Sequence, residues 1–100
     1  MRRARADKFR DNPAEIAKRL NRALATDDAQ RVVEAIGEMI RAQGVLEFSR
    51  KSRLRRESLY RSFSGKMSPR FERVLEVLSA LDVKLVVTAN GPQDPPRQAR

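Results

Sequence analysis

The 100-residue sequence contains no cysteine and no histidine. Without cysteine the chain can form no disulfide bond and has no thiol nucleophile, and without either residue the usual zinc sites cannot be built. The absence of histidine also removes the side chain that most often acts as a general acid or base. The composition therefore argues against an enzyme, and we expect no catalytic residue, no metal site and no other cofactor.

Long apolar runs are lacking as well. No stretch is long enough to cross a bilayer as a helix. The basic start of the chain is followed by charged residues where a secretion signal would have its apolar core, namely Asp7, Lys8, Arg10 and Asp11. We therefore expect a cytoplasmic protein with no membrane partner.

Aromatic residues make up only 5% of the chain. Domains that bind RNA commonly stack bases on grouped aromatic side chains. The few aromatics here are not arranged as such a platform. RNA binding is therefore disfavoured, although the chain is basic.

The net charge of +9 is unevenly distributed along the chain. Residues 41–73 carry ten basic and three acidic side chains, whereas residues 11–40 carry four basic and six acidic ones. Lysine and arginine concentrated in this way attract a polyanion, with an affinity that falls steeply as salt is added. The alternative interpretation is a solvated basic face that serves only solubility.

Residues 46–65, LEFSRKSRLRRESLYRSFSG, are predicted to form two short helices separated by a tight turn. The apolar residues spaced to face one core are Phe48, Leu54, Leu59 and Phe63, and the basic residues left outside are Arg50, Lys51, Arg53, Arg55, Arg56 and Arg61. This layout is typical of a DNA-binding helix-turn-helix, in which the first helix supports a second that enters the major groove. We assign residues 47–52 to the supporting helix and residues 56–63 to the recognition helix.

Two amphipathic helices are predicted before this unit. Asn12 is a favourable N-cap with Pro13 at the first helical position, and Asp27 or Asp28 caps the next helix, which Gly44 ends. Their apolar stripes are assigned to the core and comprise Ile16, Leu20, Leu24, Val32, Val33, Ile36, Met39 and Ile40.

A closing helix is predicted to start at Ser68 as its cap, with Pro69 at its first position. Its apolar stripe is also assigned to the core and comprises Phe71, Val74, Leu75, Leu78 and Leu81. The β-branched segment VKLVVT that follows predicts a strand over residues 83–88.

A single strand cannot satisfy its own backbone hydrogen-bonding groups. We therefore expect it to pair with the N-terminal arm or with the same strand of a second copy, which predicts a homodimer. The residues of this dimer strand are Val83, Leu85 and Val87.

Three segments are predicted. Residues 1–10 form a basic flexible arm, residues 11–90 form the helix-turn-helix domain with its closing strand, and residues 91–100, rich in proline, form a disordered tail.

The segment SRLRRESLYRSFSGKMSPRFERVLEVLSALDVKLVV resembles the addiction module antidote protein family, the HigA-like antitoxins of toxin-antitoxin operons. The resemblance extends over about residues 13–88. It implies a five-helix lambda-repressor-like helix-turn-helix domain of the Xre group with a short C-terminal β-strand. It also implies a protein that neutralises a RelE/HigB-like ribonuclease toxin and represses its own operon on double-stranded DNA. Two alternatives are a stand-alone phage-type repressor and a protein-interaction module whose helix-turn-helix has decayed.

Two residues depart from the family pattern. Arg53 stands where the turn usually has glycine, and Arg55 stands where serine or threonine usually caps the recognition helix. Each departure costs about 1 kcal/mol. A toxin would be expected against the acidic residues of the first two helices, which are Asp11, Glu15, Asp27, Asp28, Glu34 and Glu38.

The family geometry places Arg56, Glu57 and Arg61 at base edges. Each arginine is suited to a guanine, and Glu57 is expected mainly to orient Arg61, four residues later on the same helix face. The residues expected on the DNA backbone are Arg50, Lys51, Arg55, Ser58, Tyr60, Lys66, Ser68 and Arg70.

Overall fold

The computed structural model of the protein describes residues 8–90. Within this range the fold is mainly α, as the sequence predicts, with five helices and no strand. No helix in this part of the chain is long and apolar enough to cross a membrane. Most of the predicted arm, residues 1–7, and the predicted tail, residues 91–100, lie outside the described residues. The helices are α1 (Pro13–Leu24), α2 (Ala29–Gln43), α3 (Val45–Ser52), α4 (Arg56–Ser62) and α5 (Phe71–Ala80).

The first two helices begin at the predicted caps. The side chain of Asn12 accepts a hydrogen bond from the amide of Glu15 at 3.4 Å, and that of Asp28 accepts one from the amide of Gln30 at 3.0 Å. Both bonds satisfy amides that have no partner inside a helix. Gly44 then ends α2 with a φ of 90°, a backbone angle that favours glycine.

A single apolar core joins all five helices. α2 packs against α1 and α3, and α3 packs in turn against α4 and α5. The predicted inward positions of the α3 and α4 region are confirmed, because Phe48, Leu59 and Phe63 are buried and Leu54 packs against them. The remaining buried hydrophobic residues are Ile16, Leu20, Ala23, Ala35, Ile36, Met39, Ile40, Val77, Leu78 and Leu81.

Gly37 allows α2 to lie directly against the end of α4. A Cβ atom at this position would collide with the backbone carbonyl oxygen of Phe63. A backbone atom next to a buried side chain cannot move away cheaply. Gly37 therefore sets the depth at which α4 sits on the core.

The closing helix starts later than the sequence predicts, and two of its apolar residues are outside the core. Its N-cap is Arg70 rather than Ser68, since the Arg70 carbonyl is the first to accept helical bonds. Phe71 is 65% exposed and Leu75 is 43% exposed. Their assignment to the core was wrong, because no described element covers that side of α5.

The strand predicted over residues 83–88 is not confirmed. Residues 83–89 have no regular secondary structure. A strand needs a second strand as its hydrogen-bonding partner, and residues 8–90 contain none. Val83 packs against the core, whereas Val87 is 95% exposed.

Part of the predicted flexible arm is attached to the core. Phe9 is half-buried, and its carbonyl oxygen accepts a hydrogen bond from Gln43 Nε2 at 2.9 Å. Arg10 lies 2.6 Å from the carboxylate of Glu47 on α3. Phe9 and Arg10 therefore contact the helical domain directly.

Candidate nucleic-acid interface

The turn between α3 and α4 is built around a left-handed arginine. Arg53 has φ 64° and ψ 25°, and its amide donates to the Ser49 carbonyl oxygen at 2.8 Å. An L-residue in this conformation costs about 1 kcal/mol or slightly more. The turn therefore needs compensating interactions, since it has no glycine at this position.

Two serines of α3 supply that compensation. Ser49 Oγ donates a hydrogen bond to the Leu54 carbonyl oxygen at 2.5 Å, and Ser52 Oγ accepts one from the Leu54 amide at 3.2 Å. Both backbone polar groups of Leu54 are thereby satisfied inside the turn. This role was not predicted from the sequence, although serine near a helix end often bonds to nearby backbone in this way.

α4 is anchored on one side and exposed on the other. Leu59 and Phe63 are buried, whereas Arg56, Glu57 and Arg61 are all exposed. The N-cap residue before α4 makes no side-chain capping bond, as predicted. The structure therefore places the three predicted base-contacting residues in solvent on the same short helix.

The segment from Arg50 to Arg70 carries exposed positive charge that is not neutralised locally. Ion pairs occur elsewhere in the described chain, for example between Arg19 and Glu38 at 2.9 Å. We use the name cationic segment for seven exposed residues that form no ion pair with any residue from 8 to 90. These are Arg50, Arg53, Arg55, Arg56, Arg61, Lys66 and Arg70.

Two of the predicted DNA-backbone contacts, Lys51 and Ser58, also bond within the chain. Lys51 Nζ lies 2.9 Å from a carboxylate oxygen of Asp82, just beyond α5. Ser58 is half-buried, and its hydroxyl oxygen accepts a hydrogen bond from Arg73 Nη1 at 3.0 Å. Both residues connect the α3 and α4 region to the closing helix, so neither belongs to the cationic segment. Tyr60, by contrast, is 56% exposed beside the predicted base contacts.

The acidic residues proposed as a toxin surface are partly neutralised by neighbouring cations. Glu15 lies 3.6 Å from Lys8 and 3.5 Å from Lys18, and Glu38 is paired with Arg19. Asp28 is likewise 3.6 Å from Arg31, whereas Asp11, Asp27 and Glu34 form no ion pair with any residue from 8 to 90.

A second surface feature was not predicted from the sequence. An open apolar groove of about 450 Å³ runs between α1, α2, α5 and residues 83–86. Ser68, predicted as a DNA-backbone contact, lines this groove. The large side chains that line the groove and remain exposed are Leu24, Phe71, Leu85 and Val86.

The chain is similar to one family of known proteins. A family described as "Probable addiction module antidote protein" matches residues 3–89. An uncharacterised protein of Haemophilus influenzae is 33% identical over 73 residues, which cover 73% of this chain and 75% of that protein. No solved structure matches the chain significantly. Since the match extends over most of its length, the chain belongs to the family of probable addiction module antidote proteins.

Proposed function

We propose that this protein is a DNA-binding antitoxin that neutralises a RelE/HigB-like ribonuclease toxin and represses its own operon through a helix-turn-helix formed by α3 and α4. The main support for DNA binding is the cationic segment. Its residues lie on α4 and on either side of it in the sequence, and α4 is anchored by buried side chains. Family membership supports the antidote part, because an antidote acts on a toxin.

In this proposal α4 lies in the major groove of the operator. Arg56 and Arg61 each donate two hydrogen bonds to a guanine, and a pair of this kind contributes about 1 to 3 kcal/mol of discrimination against the wrong base. Glu57 and Arg61 form no ion pair in the structure, and in this proposal Glu57 orients Arg61 from one helical turn away only once α4 is on the DNA. The bonds that Ser49 and Ser52 make to Leu54 fix the path of the chain into α4.

The other cations of the segment contact phosphates. Arg50, Arg55, Lys66 and Arg70 are exposed on either side of α4 in the sequence. Each phosphate that they neutralise releases a counterion, so the affinity for duplex DNA falls as salt rises. Positive charge of this kind positions the protein, whereas α4 supplies the sequence preference.

A binding titration with Arg56→Ala tests the DNA proposal. The DNA upstream of the gene is compared with a scrambled duplex at several salt concentrations. We expect the wild type to prefer its own upstream DNA, and Arg56→Ala to lose about 10-fold or more of that preference. Arg22→Ala is the matched control, because Arg22 is exposed on α1, outside the cationic segment.

Two results would contradict the DNA proposal. Equal losses on both duplexes for Arg56→Ala would remove its base-contacting role. Failure of the wild type to bind either duplex would leave a protein-interaction module as the function.

Isolation of the protein from its host with co-purifying chains tests the toxin proposal. The expected partner is a small basic ribonuclease whose RNA cleavage stops when the two proteins are mixed in equal amounts. Absence of a stoichiometric partner would favour a stand-alone repressor.

The same proposal includes a homodimer, since helix-turn-helix proteins usually bind two half-sites related by a two-fold axis. The predicted contacts are Val83, Leu85 and Val87. Sedimentation at micromolar concentration measures it, and a monomer at moderate salt would count against it.

A further inference from the structure

A polar contact joins α4 to the closing helix α5. Arg73 Nη1 donates a hydrogen bond to Ser58 Oγ at 3.0 Å, and both side chains are half-buried. On its other side, Arg73 Nε lies 3.1 Å from a carboxylate oxygen of Glu76, one turn further along α5. The guanidinium is therefore held between two partners on two helices. A side chain that is already ordered loses less conformational entropy when it binds a ligand.

The two side chains have hydrogen-bond donors left over. A guanidinium carries donors only, and a serine hydroxyl carries one donor beside its acceptor sites. Ser58 accepts in its contact with Arg73, so its own O–H remains free to donate. Neither that O–H nor the other Nη hydrogens of Arg73 have an acceptor among residues 8–90. The pair therefore lacks an acceptor, which an anion with more than one oxygen would supply.

The neighbours of this pair on both helices belong to the cationic segment. Ser58 lies three residues after Arg55 and three before Arg61, a spacing that makes them neighbours on the surface of α4. Arg73 likewise follows Arg70, the N-cap of α5, by three residues. Arg55, Arg61 and Arg70 are exposed and form no ion pair with any residue from 8 to 90. An anion at the pair would therefore be attracted from both sides.

A backbone phosphate of DNA has the chemistry that this pair lacks. Its unbridged oxygens share a negative charge and only accept hydrogen bonds. An arginine can bond to two such oxygens at once, and serine hydroxyls are common phosphate contacts in protein–DNA complexes. The bond from Arg73 also polarises the Ser58 hydroxyl, which strengthens the bond that this hydroxyl donates. Both side chains are therefore suited to the same phosphate.

We infer that Ser58 and Arg73 together bind one phosphate of the DNA backbone at the junction of α4 and α5. Ser58 was predicted as a backbone contact from the sequence, whereas no sequence pattern pointed to Arg73. The new contact brings α5 into the interface and fixes α4 against the same DNA strand. This inference rests on the proposed DNA binding, and it is independent of which bases Arg56 and Arg61 contact.

Binding titrations of two variants at several salt concentrations are the first test. Arg73→Ala should weaken binding about 10-fold on the upstream and the scrambled duplex alike, and should lower the slope of log affinity against log salt by about one. Ser58→Ala should weaken binding about 5-fold on both with the slope nearly unchanged, since Arg73 still neutralises the phosphate. A residue that only connects two helices would not separate affinity from slope in this way.

Arg19→Ala is the matched control for Arg73→Ala. The side chain of Arg19 is 29% exposed and that of Arg73 is 33% exposed, and each is paired with a glutamate of the same chain. Arg19 lies on α1, and its partner Glu38 lies on α2. We therefore expect Arg19→Ala to change the salt slope much less.

Single methylphosphonate linkages in the upstream duplex locate the phosphate. Each such linkage replaces one charged oxygen by a methyl group, so it removes one negative charge at a chosen position. Several positions should weaken binding of the wild type. At one of them the substitution should have little further effect on Arg73→Ala or Ser58→Ala, because the contact is already lost.

Glu76→Gln keeps the inference testable if Arg73→Ala fails to fold. This change removes the carboxylate that competes with the phosphate for Arg73, so it should strengthen DNA binding. Glu72→Gln makes the same change of charge on α5, where Glu72 is exposed and forms no ion pair with any residue from 8 to 90. The gain for Glu76→Gln should be about 3-fold larger than the gain for Glu72→Gln.

Three outcomes would overturn the inference while leaving the DNA proposal intact. These are equal salt slopes for Arg73→Ala and Arg19→Ala, methylphosphonate effects in Arg73→Ala that match those of the wild type at every position, and equal gains for Glu76→Gln and Glu72→Gln. Reduced stability of Arg73→Ala with unchanged affinity would show that the pair only connects the two helices. Failure of the wild type to bind any duplex would overturn the DNA proposal and this inference together.

Discussion

The cationic segment and the apolar groove are both exposed, but they are exposed for different reasons. α4 is anchored by Leu59 and Phe63 on its inner side, so its polar outer face is what the fold leaves in water. The groove is a face whose apolar side chains, Phe71 above all, have no described element over them. Polar groups in water need no further partner, whereas an apolar face in water is stabilised by another surface. The first region therefore leaves polar groups in water, whereas the second leaves apolar side chains in water.

Replacing a phenylalanine by alanine should lower the free energy of unfolding by very different amounts beneath α3 and at the groove. Phe48→Ala removes a buried side chain under α3, and we expect the free energy of unfolding to fall by about 3 to 5 kcal/mol. Phe71→Ala should lower the stability of the monomer by less than about 1 kcal/mol, because most of that side chain is already in water. Urea unfolding followed by circular dichroism measures both.

The concentration dependence of these transitions sharpens the comparison. If the groove binds a second copy, the wild-type midpoint rises with protein concentration, and that of Phe71→Ala rises less. Similar losses of stability for the two variants at every concentration would show that the two regions do not differ in the way described.

A substitution in the turn between α3 and α4 should change the free energy of unfolding by less, and should raise it. Arg53→Gly removes the strain of the left-handed residue, and we expect a gain of about 1 kcal/mol in the free energy of unfolding. The same variant loses one cation, so its DNA affinity should fall although its stability rises. Arg53→Asn removes the same positive charge, and asparagine tolerates the left-handed conformation. Comparing Arg53→Asn with Arg53→Gly separates the effect of the charge from the effect of the backbone. A less stable Arg53→Gly would mean that the Arg53 side chain stabilises the turn.

The smallest expected effect is a difference in the salt dependence of DNA binding between variants of two lysines in the proposed DNA-binding region. Lys66→Ala should weaken binding evenly on all sequences and reduce the salt dependence by about one counterion. Lys51→Ala should leave that slope nearly unchanged, because Lys51 is paired with Asp82, and should cost at most about 1 kcal/mol of stability. The plot of log affinity against log salt measures both, and equal slopes for the two variants would remove the distinction.

Much of the helical framework follows from the sequence, because the interactions that define it are local. Asn12 and Asp28 bond to amides two or three residues away, and Gly44 ends a helix by its own backbone preference. The exposure of Arg56 was predictable for the same reason, since Leu59 and Phe63 follow it at helical spacing and must face inward.

Only the tertiary structure decides which apolar faces find a partner. Helical spacing places Phe71 and Leu75 on one stripe with Leu78, but the neighbouring helices cover only the end that carries Leu78. Pairs far apart in the chain, such as Lys51 with Asp82, likewise depend on how α3 and α5 pack together. Periodicity shows which side chains share a face. Whether that face is buried depends on the positions of other elements, which no local pattern contains.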